Sequence, residues 1–294
     1  MRAAILGAGV MGRNIARVLA RAGAEVVMFS RSAETLRSAQ EALEADADGR
    51  VEYVTAVGDA VGGVDLVLES VPESLPLKLG LLTDIERGAP DGAVIATNTS
   101  SLPLDRLAGV LRRPQRFLGW HWFNPAHLIP LVEVVPAPAT DPDIVRWSVS
   151  TLQELGKRPL ALSRPIEGFL ANRLQYALIR EALALVQDGA ATPEQIDAVI
   201  TDCLGPRWAV IGPMRSSDLA GIRTAAAVAG ELFPKRSNAD RPQPALTALL
   251  EQGRLGVASG AGFYDYPERE SVAVERDRLL SAVLGALTGE RAGG

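Results

Sequence analysis

The stretch from Arg2 to Phe29 limits what this chain can fold into more than any other part of it. Residues 2–6 (RAAIL) form a short apolar strand pattern, and Gly7-Ala8-Gly9-Val10-Met11-Gly12 follows at once. A helical pattern over about Gly12–Ala22 comes next, closed by Gly23, and Glu25–Phe29 (EVVMF) reads as a second strand. G-x-G-x-x-G is weak alone, but inside a strand–helix–strand unit each glycine has a job. Gly7 permits the tight turn, Gly9 lets the backbone approach a pyrophosphate, and Gly12 lets helix and strand pack closely. The pyrophosphate would sit on the helix N-terminus at Val10 and Met11, where free N–H groups and the dipole favour an anion. The segment predicts a dinucleotide site.

The pattern continues as alternating strands and helices. Strand candidates are Val64–Leu68, Ala93–Ala96, Phe117–Trp120, Leu131–Val135 and Arg158–Leu162, with helices expected around Glu34–Glu44, Leu75–Arg87 and Pro142–Leu155. This order predicts an α/β Rossmann domain with a doubly wound, mainly parallel sheet. After Leu162 the strand signal almost vanishes. Helices are expected at Gly168–Val186, Pro193–Asp202, Ser217–Leu232, Pro244–Gln252 and Ser271–Leu287, with Pro234–Pro244 as a surface loop. The predicted division is residues 1–164 for the nucleotide-binding domain and 165–294 for an all-α substrate and dimerisation domain.

Bulk properties narrow the function. The chain has 294 residues, 47% apolar and 22% charged, which suits a soluble two-domain protein. A net charge of −5 gives no general reason to bind nucleic acid or an anionic membrane. No apolar run approaches the roughly 18–20 residues that a membrane span needs. The apolar start reads as a strand rather than a secretion signal. Cys203 is the one cysteine, so a reducing cytoplasmic setting is expected. With only His121, His127 and Cys203 as soft ligands, no metal site is expected.

The end of the second strand bears on cofactor choice. An NAD site usually places Asp or Glu there, on the ribose 2′-hydroxyl. This chain has Ser30-Arg31-Ser32. Arg31 can pair with a 2′-phosphate that a carboxylate would repel, and Arg13 and Arg37 add positive charge nearby. NADP(H) is therefore expected over NAD(H), the alternative being an Arg31 that only covers the adenine or lies in solvent.

A second constellation is His121-Trp122-Phe123-Asn124-Pro125, followed by Leu131-Val132-Glu133-Val134-Val135. Hydride removal from a secondary alcohol needs a base for the hydroxyl proton, and imidazole titrates near working pH. A buried carboxylate can fix its tautomer and stabilise the imidazolium. The two residues lie at the ends of adjacent apolar segments. Spacing alone leaves a structural histidine and a surface glutamate open.

With these motifs goes a resemblance over essentially the full chain. The glycine motif, Asn98-Thr99-Ser100-Ser101-Leu102, HWFNP, LVEVV, Gly168-Phe169-Leu170-Ala171-Asn172-Arg173 and Gly260–Tyr266 (GAGFYDY) occur in the order seen in the 3-hydroxyacyl-CoA dehydrogenase superfamily. The resemblance implies that His121 is the base and Glu133 its partner. It implies that Ser100 and Asn172 hold the substrate oxygen, that Asn124 shapes the same site and that Asn98 belongs to the cofactor-binding set. It also implies the L configuration of a 3-hydroxyacyl substrate and a homodimer formed through the C-terminal domain.

Two departures bear on the substrate. Acyl-CoA members usually carry a lysine-rich helical insertion after the second strand, whereas a short acidic stretch with Glu41, Glu44, Asp46 and Asp48 stands here. Leu204-Gly205-Pro206-Arg207-Trp208-Ala209 and Leu174-Gln175-Tyr176-Ala177 resemble the subgroup of gulonate 3-dehydrogenase, lambda-crystallin and carnitine dehydrogenase. Arg207 suits a free carboxylate, or else a helix-end ion pair or subunit contact. The C-terminal motifs still favour a CoA- or carrier-bound 3-hydroxyacyl thioester first. A free 3-hydroxy acid is second, and a non-catalytic, crystallin-like cofactor-binding protein is third.

Overall fold

The computed structural model describes residues 1–44 and 51–291. The chain forms two compact units, Met1–Arg173 and Leu174–Gly294. The first unit runs past the 164/165 boundary expected from sequence. Its last residues, from Phe169 onward, open a helix whose first turn is bound within that unit.

The first unit carries β1 (Arg2–Leu6), β2 (Glu25–Phe29), β3 (Val51–Val54), β4 (Leu66–Glu69), β5 (Val94–Thr97), β6 (Phe117–Trp122), β7 (Leu131–Pro136) and β8 (Arg158–Ala161). They form one sheet in the order β3-β2-β1-β4-β5-β6-β7-β8. Pairing is parallel throughout except between β6 and β7. The helices are α1 (Val10–Arg21), α2 (Ala33–Glu44), α3 (Val57–Val61), α4 (Leu75–Gly88), α5 (Leu104–Ala108) and α6 (Pro142–Glu154).

Alternation along each strand feeds two cores. Ala3 and Ile5 join α1, α2 and α6 through Ile15, Leu43 and Leu152, whereas Ala4 and Leu6 join α3, α4 and α5 through Val61, Leu82 and Leu107. Covered on both faces, β4, β5 and β6 are buried at every position, which explains their unbroken apolar runs.

The sheet order reverses beside β1, where doubly wound sheets open a crevice at the strand C-termini. Gly7 lies there with φ +120°, and a Cβ on it would meet Ser70 O at 2.5 Å. A Cβ on Gly12 would meet Gly7 O at 1.7 Å, which forces glycine where α1 crosses the loop.

The second unit is helical. It takes most of α7 (Phe169–Gln187), then α8 (Pro193–Val199), a π turn over Ile200–Leu204, α9 (Gly205–Ala220), α10 (Ile222–Leu232), α11 (Pro244–Glu251) and α12 (Arg269–Arg291). Among the described residues no helix is long and apolar enough to cross a membrane.

Several expectations needed correction. β3, α3 and α5 were not expected. β3 is a short edge strand, and the two helices are single turns too short for a 3.6-residue period to show. The helix expected over Ser217–Leu232 breaks at Gly221 (φ +90°), and its first part belongs to α9. Pro206 lies just after the π turn, in the first turn of α9, and Pro213 follows a kink at Gly212 (φ +69°). The Pro234–Pro244 loop is pinned from within the unit, since Gln243 Nε2 donates to Arg180 O at 3.1 Å. Of the acidic stretch, Glu41 is exposed on α2, while Asp46 and Asp48 lie outside the described residues.

Candidate active site

At the nucleotide loop, α1 begins with no side-chain cap and no acidic residue in its first turn. Its leading N–H groups at Val10, Met11 and Gly12 therefore stay open to an anion. A Cβ on Gly9 would meet nothing within 4 Å. Gly9 is thus not required by packing within the chain, and the free space over it fits the pyrophosphate of a dinucleotide. At the end of β2, Arg31 is exposed. Ser30 Oγ accepts the Ser32 N–H at 3.2 Å, and Ser32 Oγ accepts the Thr35 N–H at 3.1 Å, capping α2. Both hydroxyls keep their own protons for donation.

The antiparallel hairpin of β6 and β7 sets His121 directly opposite Glu133. His121 Nδ1 lies 2.7 Å from Glu133 Oε2, and the two residues are 5% and 0% exposed. Burial would raise the Glu133 carboxyl. The His121 hydrogen bond and the Ala171 and Leu170 amides outweigh it and hold the carboxyl below its ordinary value. An ionised Glu133 keeps the proton on Nδ1 and leaves Nε2 for a ligand. The imidazole is enclosed by Phe123 at 4.4 Å and Phe169 at 5.4 Å between ring centroids.

The second oxygen of Glu133 does further work. Oε1 accepts the N–H groups of Leu170 at 3.0 Å and Ala171 at 2.9 Å, in the first turn of α7. That turn starts at Phe169, a bulky residue at φ +48°, in the left-handed region where side chains crowd the backbone. The same turn carries Asn172, whose Nδ2 donates to Ser100 O at 3.2 Å. One carboxylate therefore orients the imidazole and anchors the helix that brings Asn172 to Ser100.

Ser100 is held by a group that sequence reasoning missed. Glu73 Oε1 accepts from Thr99 Oγ1 (2.6 Å), Ser100 N (2.9 Å), Ser101 N (3.0 Å) and Ser101 Oγ (3.0 Å), with Ser100 Oγ farthest at 3.3 Å. Partial burial raises the Glu73 carboxyl, but the Thr99 hydroxyl, the Ser100 N–H, the Lys78 charge and the Ser101 hydroxyl bring it down to about 2. Lys78 Nζ lies 3.5 Å from Glu73 Oε2 and 2.7 Å from Glu69 Oε1. Glu69 is fully buried and also accepts from Thr97 Oγ1 at 2.6 Å and Val71 N at 2.7 Å. The available signal was compositional. The lysines are Lys78, Lys157 and Lys235, and in a chain whose other cations are arginines a lysine five residues after Glu73 stands out.

The remaining expected residues lie apart. Asn98 Oδ1 accepts the Trp122 N–H at 2.9 Å and its Nδ2 donates to Ser70 Oγ at 3.3 Å, so its side chain ties the ends of β4, β5 and β6 together. Asn124 is exposed on the loop after β6, with no hydrogen bond to the His121 cluster among the described residues. Arg207 belongs to the second unit, exposed at the start of α9. Among the described residues no group of three or more His, Cys, Asp or Glu is placed to hold a metal ion.

Comparison with known proteins agrees over both units. Residues 2–164 match the family model described as 3-hydroxyacyl-CoA dehydrogenase, NAD binding domain, and residues 168–266 match its C-terminal domain. The solved structure of 5-formyl-3-hydroxy-2-methylpyridine 4-carboxylic acid 5-dehydrogenase, an NAD+ dependent dismutase, superposes with TM-score 0.94 at 33% identity, covering 98% of each chain. L-carnitine dehydrogenase of Streptomyces coelicolor is 39% identical over 97% of this chain and 94% of its own length. 3-Hydroxybutyryl-CoA dehydrogenase of Mycobacterium tuberculosis is 35% identical over 90% of this chain and 98% of its own.

Proposed function

Because the chain belongs to the 3-hydroxyacyl-CoA dehydrogenase family, we propose that it is an oxidoreductase that interconverts a 3-hydroxyl and a 3-oxo group, with His121 as acid–base. The buried His121–Glu133 pair, joined through α7 to Asn172 and Ser100, carries this reading. In oxidation His121 takes the hydroxyl proton at Nε2, and Glu133 stabilises the imidazolium. Ser100 and Asn172 orient the reacting oxygen. Ser100 Oγ has the longest bond to Glu73, so it is the donor most readily released to a ligand. A nicotinamide nucleotide held at the Gly7–Gly12 loop and the start of α1 would supply the hydride acceptor for oxidation and the donor for reduction.

For the cofactor, the absence of a carboxylate at the end of β2 and the exposed Arg31 support NADP(H) over NAD(H). For the substrate, the thioester ranked first from sequence motifs keeps the support of the 3-hydroxybutyryl-CoA likeness, and a free 3-hydroxy acid stands beside it. The likeness to a carnitine enzyme supports the free acid, and the likeness to a pyridine-carboxylate enzyme supports a substrate that carries a free carboxylate. Of the lysines that might meet a CoA phosphate, Lys78 and Lys157 are buried. Arg207 is the cation we assign to a substrate carboxylate.

The second unit supports a homodimer. Tyr176, Val210, Met214, Leu219, Ile222 and Phe233 are all exposed, a large apolar surface for a lone chain. The exposed Cys203 thiol suits a reducing cytoplasm.

The test is NAD+ and NADP+ reduction at 340 nm with carnitine, gulonate, 3-hydroxybutyrate and 3-hydroxybutyryl-CoA, beside His121→Ala. Turnover with the thioester or a free acid, lost about 10²–10⁴-fold in the variant, is expected. Turnover with the thioester alone would uphold the first ranking. Unchanged turnover in His121→Ala would overturn the mechanism. Tight nucleotide binding without turnover of either class would favour a non-catalytic protein.

A further inference from the structure

The residues from Phe123 to Pro130 connect β6 to β7, and so join His121 to Glu133. They form a turn in which the N–H groups of Leu128 and Ile129 both donate to Pro125 O at 3.0 Å. Two of its carbonyls converge on one buried ammonium. Lys157 Nζ donates to Ala126 O at 2.7 Å and Ile129 O at 3.0 Å, and it stands 5.4 Å from the centroid of the Trp122 ring. The neighbouring Arg158 N–H donates to Pro130 O at 2.8 Å.

Lys157 is delivered by the end of α6. Gly156, at φ +73°, lets the Gly156 and Lys157 N–H groups return to Gln153 O and Leu152 O, which turns the lysine side chain inward. The residue is 8% exposed. Burial of a cation is costly unless its donors are used, and a methionine would fill the same space without that cost. Lys78, the other buried lysine, has carboxylates around it. Among the described residues Lys157 has only carbonyls and a ring around it.

Resting on the reaction proposed above, we infer that Lys157 is a positioning residue for the His121–Glu133 hairpin. Its ammonium pins the β6–β7 connection and so keeps Phe123 against the imidazole. The contact depends on charge. A neutral amine keeps two N–H groups but loses charge-assisted bonding and attraction to the Trp122 ring.

Burial brings the Lys157 ammonium from 10.5 down to about 8, and among the described residues no ion pair opposes it. The titratable and charged residues of the surrounding elements are His127 on the loop, Arg158 on β8, and Asp143, Arg146 and Glu154 on α6, of which Asp143 and Arg146 pair with each other in solvent. His121 and Glu133 lie on the opposite face of the sheet from Trp122. Between about 8 and 10.5 the unfolded chain binds the lysine proton more tightly than the folded one. The contribution of this group to stability therefore rises with pH in that window, while its hold on the loop is lost. A purely structural lysine would move activity and stability together.

The experiment compares wild-type protein, Lys157→Met and Lys157→Arg. Tryptophan emission is titrated from about pH 6.5 to 10. The wild type should show a step near the Lys157 midpoint that Lys157→Met lacks. Signal from the other tryptophans is common to both and cancels in the difference. Alcohol oxidation should fall several-fold in the wild type as pH rises through that step, with no fall in melting temperature. Lys157→Met should lose about tenfold to a hundredfold in kcat at neutral pH, with KM little changed and a flat alkaline profile. Lys157→Arg, which keeps the charge, should retain kcat and move the alkaline limb upward. That variant serves if Lys157→Met does not fold. The inference is overturned by an emission step that persists in Lys157→Met, by wild-type kcat in Lys157→Met, or by an unmoved limb in Lys157→Arg. If no hydroxy compound turns over, the proposed reaction fails, and the emission step alone still decides whether Lys157 holds the loop.

Discussion

The two units hold their shape in different ways. In the first, strands and helices bury two apolar layers, and buried charged groups pair inside it, as Lys78 does with Glu69 and His121 with Glu133. In the second, none of the helices α8 to α11 buries a residue within the chain, and Gln243 and Gly262 are its buried positions among the described residues. The first unit is built to be stable by itself and to present chemistry. The second exposes apolar helix faces that gain burial only against a further surface, which the proposed homodimer supplies.

This contrast can be broken in several ways. The largest effect is expected inside the first unit. Lys78→Met leaves the Glu69 carboxylate uncompensated in a fully buried place and should cost about 3–5 kcal/mol in urea unfolding. A loss near zero would mean that water reaches Glu69 and that the unit is less closed than described. The second unit is tested with Met214→Glu and Leu219→Glu, at 78% and 77% exposure in the single chain. If these side chains are covered in a dimer, each should cost roughly 1.5–3 kcal/mol of association, and sedimentation should show monomer. An unchanged mass would dissociate the exposed face from dimerisation.

Acid should act mainly on the first unit. Glu73 and Glu133 both have folded values below the ordinary carboxylate value of 4.5. Their contribution is fully present above that value and is lost as pH falls through the folded values, about 2 for Glu73. Glu73→Gln should flatten stability over that range, and solvent at its partly exposed side chain keeps the change modest. The smallest effect belongs to the cofactor. Ser30→Asp should shift the ratio of NADPH to NADH efficiency about tenfold toward NADH, roughly 1.4 kcal/mol, with unfolding little altered. A strong NADH preference in the unmodified protein would remove the basis of the NADP(H) proposal.

Much of the fold was legible because its signals are local. Gly7, Gly9 and Gly12 have spacing that follows from backbone geometry over a few residues, and buried parallel strands announce themselves as apolar runs. Helix breaks were less legible. Gly212 and Gly221 act by positive φ, and whether a helix resumes beyond them depends on what its next turn packs against. At the site, residue types were readable and their partners were not. His121 and Glu133 stood out as chemistry-bearing, whereas neither Glu73 nor Lys157 was singled out.

By itself, the sequence determined the nucleotide loop, the α/β-then-α order and the candidate acid–base pair, because each depends on short-range periodicity or on residue chemistry. Only the tertiary structure decided that β6 and β7 run antiparallel and so face His121 with Glu133. It alone showed that Glu133 also holds the start of α7, that Glu73 gathers the Ser100 loop, and that Lys157 lies buried beneath the hairpin. Those facts come from register and from contacts between residues far apart in the chain. A carboxylate or ammonium reads the same in sequence whether it ends in water or among buried partners, and the packing around it decides which.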